Sequence, residues 1–161
     1  MSAAETRLHA SAIAIEGRGL LIAGRSGAGK TSLALEMMAL GADLIADDQV
    51  VLGRRDAELT LSPPEPTAGL IELRGIGLVR RPFQSDIPLF LMIDLDHDAE
   101  SRLPDAAFRD LLGLPVRLIF GPWRPGLAAA LTIAMRAGAI EPVDTPPAST
   151  CPQPKDRSPQ R

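Results

Sequence analysis

The period of apolar and polar positions changes several times along the chain. Ala12 to Glu16 and Leu20 to Ala23 are short apolar runs joined by Gly17-Arg18-Gly19, a pattern that predicts two strands and a tight turn. From Thr31 to Leu40 the apolar positions Leu33, Leu35, Met37, Met38 and Leu40 predict a helix. They are too dense for a solvent-washed face, so the helix should be largely buried, with Gly41 as its C-terminal cap. Leu44 to Ala46 reads as a short buried strand ending in Asp47-Asp48. Gln49 to Gly53 and Glu58 to Leu61 read as an antiparallel pair stopped by Ser62-Pro63-Pro64. Gly69 to Val79 contains two short strand pieces around closely spaced glycines, and Leu89 to Leu95 is a strongly apolar strand. Asp105 to Leu112 is expected to be a short helix, Val116 to Phe120 a strand, and Gly126 to Ala137 a final helix ending at Gly138. Strands and helices alternate while the hairpins rule out a purely parallel sheet, so the expected fold class is mixed α/β.

The periodic pattern stops near residue 140. Beyond Glu141, six of the 15 prolines fall in a polar segment. The expected organisation is therefore one domain over residues 1–140 and a disordered tail over residues 141–161. A net charge of −3 and a pI near 5.4 give no global attraction to nucleic acid, and an aromatic content of 3% argues against a nucleic-acid stacking surface. The most apolar stretches are too short for a bilayer span and no secretory signal is visible, so no membrane role is expected. Cys151 has no second cysteine to pair with, which fits a reducing cytoplasm.

The strongest chemical signal is Gly24-Arg25-Ser26-Gly27-Ala28-Gly29-Lys30-Thr31, a G-x-x-x-x-G-K-[ST] phosphate loop between an apolar strand and a helix. Its glycines let successive backbone N–H groups point at one anion, and the helix adds the positive end of its dipole. Lys30 would bridge the outer phosphates of ATP and the Thr31 hydroxyl would ligate Mg2+. Of 17 basic residues only Lys30 and Lys155 are lysines, so Lys30 is the one ammonium in the expected domain. A compact ammonium serves a narrow phosphate loop where a planar guanidinium would not fit the same way.

Phosphoryl transfer also needs a carboxylate for the metal and one for the acceptor proton. Two strand ends compete. Leu44-Ile45-Ala46-Asp47-Asp48 offers adjacent, mutually repelling acids, while Phe90-Leu91-Met92-Ile93-Asp94 has the longer apolar run. With Asp96 and Asp98 nearby, Asp94 also reads as a solvated acidic corner.

With the loop, the paired acids and the Glu72 segment together, the chain resembles the catalytic domain of bacterial HPr kinase/phosphorylase. The matching pieces are His9 fifteen positions before Gly24, the loop itself, Ile45-Ala46-Asp47-Asp48-Gln49-Val50, and Leu70-Ile71-Glu72-Leu73-Arg74-Gly75-Ile76-Gly77. The resemblance covers about residues 8–138 and looks like the short alphaproteobacterial form that lacks the family's N-terminal domain. It implies a P-loop domain similar to the HPr kinase and phosphoenolpyruvate carboxykinase-like fold, and a serine protein kinase using ATP and Mg2+. The implied partner is the phosphocarrier HPr or its nitrogen-pathway relative, and the implied assembly is a homo-hexamer. The resemblance selects Asp48 as the base that takes the serine proton, and places Glu72 beside Thr31 and Asp47 as metal ligands. It sets His9 near the reacting phosphate, makes Arg102 the later catalytic arginine, and gives Arg74 and Arg124 lesser parts in handling phosphate.

Some positions depart from the family pattern. Thr31 replaces serine and keeps the hydroxyl. Ser32 stands where an acid is usual, Gln49 where arginine is frequent, and Leu127-Ala128, after Pro125-Gly126, where the family has Arg-Asn. These changes leave the kinase parts in place and bear on phosphorolysis, the reverse reaction of the phosphoserine. Two other readings compete: a P-loop kinase of a small metabolite, and an ATP-binding regulatory subunit that transfers nothing.

Overall fold

The computed structural model describes residues 3–142. The expected tail over residues 141–161 lies almost wholly outside the described residues. In chain order the elements are β1 (Ala4–Leu8), β2 (Ala10–Ile15), β3 (Arg18–Ala23), α1 (Lys30–Ala39), β4 (Asp43–Ala46), β5 (Val50–Arg55) and β6 (Glu58–Ser62). Then follow β7 (Leu70–Leu73), β8 (Gly77–Arg80), β9 (Ile87–Asp94), β10 (Ala107–Leu111), β11 (Leu114–Phe120) and α2 (Leu127–Ala137).

A nine-stranded sheet runs in the order β1-β5-β6-β9-β3-β2-β4, with β11 on β9 and β10 on β11, while β7 and β8 form a separate hairpin. Only β3–β9 and β9–β11 pair in parallel; the other ladders are antiparallel. This is the mixed α/β class the pattern predicts. Strand β9 meets three partners, β6 through Ile87 and Pro88, β3 along Leu89 to Asp94, and β11 through Met92 to Asp94.

Strands β2, β3 and β9 carry near-continuous apolar runs because they are covered on both faces. On one face Ile13, Ile22, Leu91 and Ile93 pack with Leu33 and Met37 of α1 and Leu131 and Met135 of α2. On the other, Ala12, Leu21 and Met92 pack with Leu52 and Leu61 of the β5–β6 pair and with Leu118. The chain is thus layered as helices, central strands and an antiparallel flap, and the helix face places α1 directly after β3.

Three expectations need correction. The stretch expected as a helix over Asp105 to Leu112 instead contains strand β10, Ala107–Leu111. Exposure alternates along Ala107–Leu111 with period two, and Leu112-Gly113 makes a two-residue hairpin with φ of 50° and 83°. The Asp110 carboxylate accepts the Gly113 N–H at 2.9 Å and locks that turn. Strand β1 was not expected at all. It is a polar edge strand whose inward positions are only Thr6 and Leu8, so no apolar run announces it. Helix α1 buries Lys30, Leu33, Ala34 and Met37, while Leu40 just beyond its end is exposed.

The β2–β3 hairpin carries backbone strain. Its central pair Glu16-Gly17 has φ of 51° and 76°, the mirror-image turn that favours Asn-Gly and disfavours a long side chain at its first position. The Glu16–Arg18 ion pair at 3.6 Å is solvent-exposed and stabilises little. Glu16→Asn is expected to raise the unfolding free energy by about 0.5–1 kcal/mol, measured by urea denaturation; a loss would mean that the ion pair outweighs the strain.

Candidate active site

The loop from Gly24 to Gly29 leaves the end of β3 and opens α1. The first N–H groups of the helix have no intrahelical partner, so they face the space above the loop. Gly29 caps α1 with φ of 101°, and a Cβ there would come within 3.0 Å of the Trp123 Cβ. Both reasons demand glycine. Lys30 is buried, and its ammonium donates to the carbonyls of Gly24 at 2.7 Å and Arg25 at 2.9 Å. Two of its three N–H bonds hold the loop, and the third remains for an anion. Arg25, Ser26 and Gly27 are exposed at the loop's tip, with the Ala28 N–H bonded back to the Arg25 carbonyl.

The acids Asp47 and Asp48 follow β4, which pairs with β2 and so stands beside the loop. One Asp47 oxygen, Oδ1, accepts hydroxyl hydrogen bonds from Thr31 at 2.9 Å and from the buried Ser11 at 2.8 Å. Asp48 points the other way. Its Oδ1 lies 3.3 Å from His9 Nδ1, and both side chains are more than half exposed. The backbone there is strained: Asp48 has φ of 67°, the Gln49 N–H bonds the Asp47 carbonyl two residues back, and the Ala10 N–H holds the Asp48 carbonyl. A hydroxyl and a carboxylate side by side are two hard oxygens of the kind Mg2+ takes when phosphates and waters supply the rest. Among the described residues no group of three His, Cys, Asp or Glu side chains makes a metal site of its own.

The fold therefore brings together His9, Lys30, Thr31, Asp47 and Asp48. Glu72 is exposed on β7, paired in register with Leu78, and no hydrogen bond or ion pair among the described residues joins it to Thr31 or Asp47. Arg102 is exposed on the segment between β9 and β10 and likewise makes no described bond to this cluster. A groove of about 510 Å³ lined by Arg7, Arg55, Pro64 and Asp86 shares no residue with it.

The rival acid, Asp94, is not a solvated corner. It is 5% exposed and accepts the Asp96 N–H at 2.9 Å, Arg109 Nη2 at 3.0 Å and a contact from His97 Nδ1 at 3.0 Å. Burial pushes its pKa up, but the Asp96 N–H, Arg109 and His97 together outweigh it and hold the carboxyl below its ordinary value. Next to it, Asp96 grips the Arg25 N–H with both oxygens, at 3.1 and 3.0 Å, and the Leu95 N–H bonds the Ala23 carbonyl. The turn after β9 thus fastens the start of the phosphate loop. Sequence reasoning missed Ser11, Asp96 and Arg109; of these only Ser11, the lone hydroxyl in the apolar run Ala10 to Ile15, carried a signal.

Because the folded-state pKa of Asp94 is depressed, its stabilising contribution is present above the ordinary carboxylate range and is lost as pH falls through the folded value. Asp94→Asn is expected to cost about 2 kcal/mol at neutral pH. Urea titrations at descending pH should show the two proteins converging below about pH 4; a constant gap across that range would contradict the assignment.

With this geometry in place, comparison with known proteins is informative. Residues 1–83 match the HPr Serine kinase C-terminal domain. The HPr kinase/phosphorylase of Clostridium botulinum (strain Eklund 17B / Type B) is 35% identical over 147 residues, covering 84% of this chain and 48% of that protein. The HPr kinase/phosphorylase of Clostridium tetani is 36% identical over 147 residues, with the same two coverages. The chain spans about half the length of the curated relatives it matches. A solved structure, the Hpr(Ser) kinase/phosphatase from Coxiella burnetii, superposes with a TM-score of 0.72 at 26% identity, covering 82% of this chain and 89% of that one. The chain belongs to the family of the HPr serine kinase C-terminal domain.

Proposed function

We propose that this chain transfers the γ-phosphoryl group of ATP to a seryl hydroxyl of an HPr-type phosphocarrier of the phosphotransferase system. The observation that carries the reading is the shared Asp47 oxygen between Thr31 and Ser11, with Asp48 turned outward beside it at 3.3 Å from His9. It supports a metal-holding role for Thr31 and Asp47 and a proton-accepting role for the exposed Asp48 carboxylate beside them. The names of the relatives agree with kinase chemistry.

In this reading the loop N–H groups and Lys30 hold the β- and γ-phosphates, and Thr31 and Asp47 hold Mg2+, with Glu72 as a further ligand on the family's pattern. Magnesium, when bound, neutralises charge on the phosphate oxygens. The acceptor serine approaches from the exposed side, where Asp48 takes its proton as the oxygen–phosphorus bond forms and the bond to ADP breaks. His9 orients the Asp48 carboxylate, and the strained backbone at Asp48 aims it. On the family's pattern Arg102, exposed between β9 and β10, serves as the later catalytic arginine. Running backwards, inorganic phosphate attacks the phosphoserine, Asp48 returns the proton to the seryl oxygen, and pyrophosphate leaves. The departures at Ser32, Gln49 and Leu127-Ala128 bear on that direction and leave Lys30, Thr31, Asp48 and Glu72 in place.

Incubation with labelled ATP and purified HPr, and in parallel its nitrogen-pathway relative, tests the reading. Label is expected on a serine of one carrier, and Asp48→Asn should lower kcat by roughly 10²- to 10⁴-fold with ATP affinity little changed. No serine label on either carrier, or an Asp48→Asn enzyme as fast as wild type, would sink it.

A further inference from the structure

Trp123 is the only tryptophan in the chain, which also has no tyrosine, and it stands 40% exposed against the phosphate loop. A tryptophan combines a large apolar face with a polar N–H that seeks a hydrogen-bond partner. Two contacts fix the ring. At its base, the Trp123 Cβ and Cγ lie so close to Gly29 that an added Cβ there would meet them at 3.0 and 3.3 Å. At its far end, Nε1 donates to Glu36 Oε1 at 3.1 Å, two turns along α1. The ring therefore lies along the flank of the helix that begins at the phosphate loop. Pro122 and Pro125 flank the Trp123-Arg124 segment and restrict its backbone.

The sheet order decides what that surface can meet. Asp47 and Asp48 follow β4, on the β2 side of the loop-bearing strand β3. Trp123 follows β11, on the opposite, β9 side. A triphosphate whose reacting end faces Asp48 must lead its nucleoside away from the acids, toward the β11 side. There it meets a pre-oriented aromatic face whose polar N–H is already satisfied by Glu36. We infer that Trp123 is the base platform of the nucleotide site, stacking on the purine of ATP and so making the chain prefer a nucleotide to a bare polyphosphate. The inference rests on the nucleotide-binding part of the proposed function. It adds an affinity determinant that stacks on the base by its π-face and reads no hydrogen-bonding edge.

Because this is the sole tryptophan, its intrinsic fluorescence reports on the site without labelling. The wild-type chain is titrated with magnesium ATP and, separately, with magnesium tripolyphosphate, following fluorescence and, by calorimetry, affinity. Quenching by ATP but not by tripolyphosphate is expected. Trp123→Leu should weaken ATP roughly 10- to 100-fold and leave tripolyphosphate affinity unchanged, whereas Trp123→Phe keeps most of the ATP affinity. If both ligands bind yet change the fluorescence alike, or Trp123→Leu binds ATP as wild type does, the platform is wrong and the kinase reading stands. If neither ligand binds the wild-type chain, the phosphate-loop reading falls and the platform with it.

Discussion

Asp47 Oδ1 receives hydroxyl hydrogen bonds from Ser11 on β2 and from Thr31 at the start of α1, so one carboxylate oxygen ties together a central strand, the nucleotide helix and the end of β4. The antiparallel pairing of β2 with β4 is what brings these groups within reach. A cation drawn to that oxygen would have to compete with both hydroxyls, and Thr31 could then turn its lone pairs toward the metal. The acid beside it is spared. Asp48 makes no bond to the loop and reaches outward to His9, so two adjacent carboxylates that would repel are aimed apart by a strained turn.

The loop is also held from its other side. The turn after β9 closes onto it through Asp96 and the Arg25 N–H, and that turn is itself kept in shape by Asp94, Arg109 and His97. Lys30 then pulls on the carbonyls of Gly24 and Arg25 from within. A short glycine-rich segment is thereby ordered by flanking charges before any phosphate arrives, which lowers the conformational entropy lost on binding.

Much of this was legible in the residues. The phosphate loop, both helices, the β2–β3 and β5–β6 hairpins and the β7–β8 glycine segment carry local chemistry that tertiary packing did not override. The failures have physical causes. Phe108, Leu111 and Leu112 have spacings of three and four that imitate one face of a helix, yet Leu112-Gly113 folds as a tight turn and the alternation wins. Strand β1 exists because β5 offers it a free edge, which no local pattern announces. Asp94 looked solvated because its neighbours are acidic, and its partner Arg109 lies fifteen residues away on the strand that was misread. The low aromatic content drew attention away from the single ring that packs beside the loop.

The left-handed backbone at Asp48 sets stability against chemistry at that position. Of the twenty residues, glycine would relax this conformation best and would also relieve Asp47 of its neighbour's repulsion, so selection for a sturdier fold alone would favour its arrival. A lineage that had ceased to need the carboxylate could gain robustness through that one exchange. In the proposed reaction, the aspartate keeps at this turn a carboxylate that glycine could not supply.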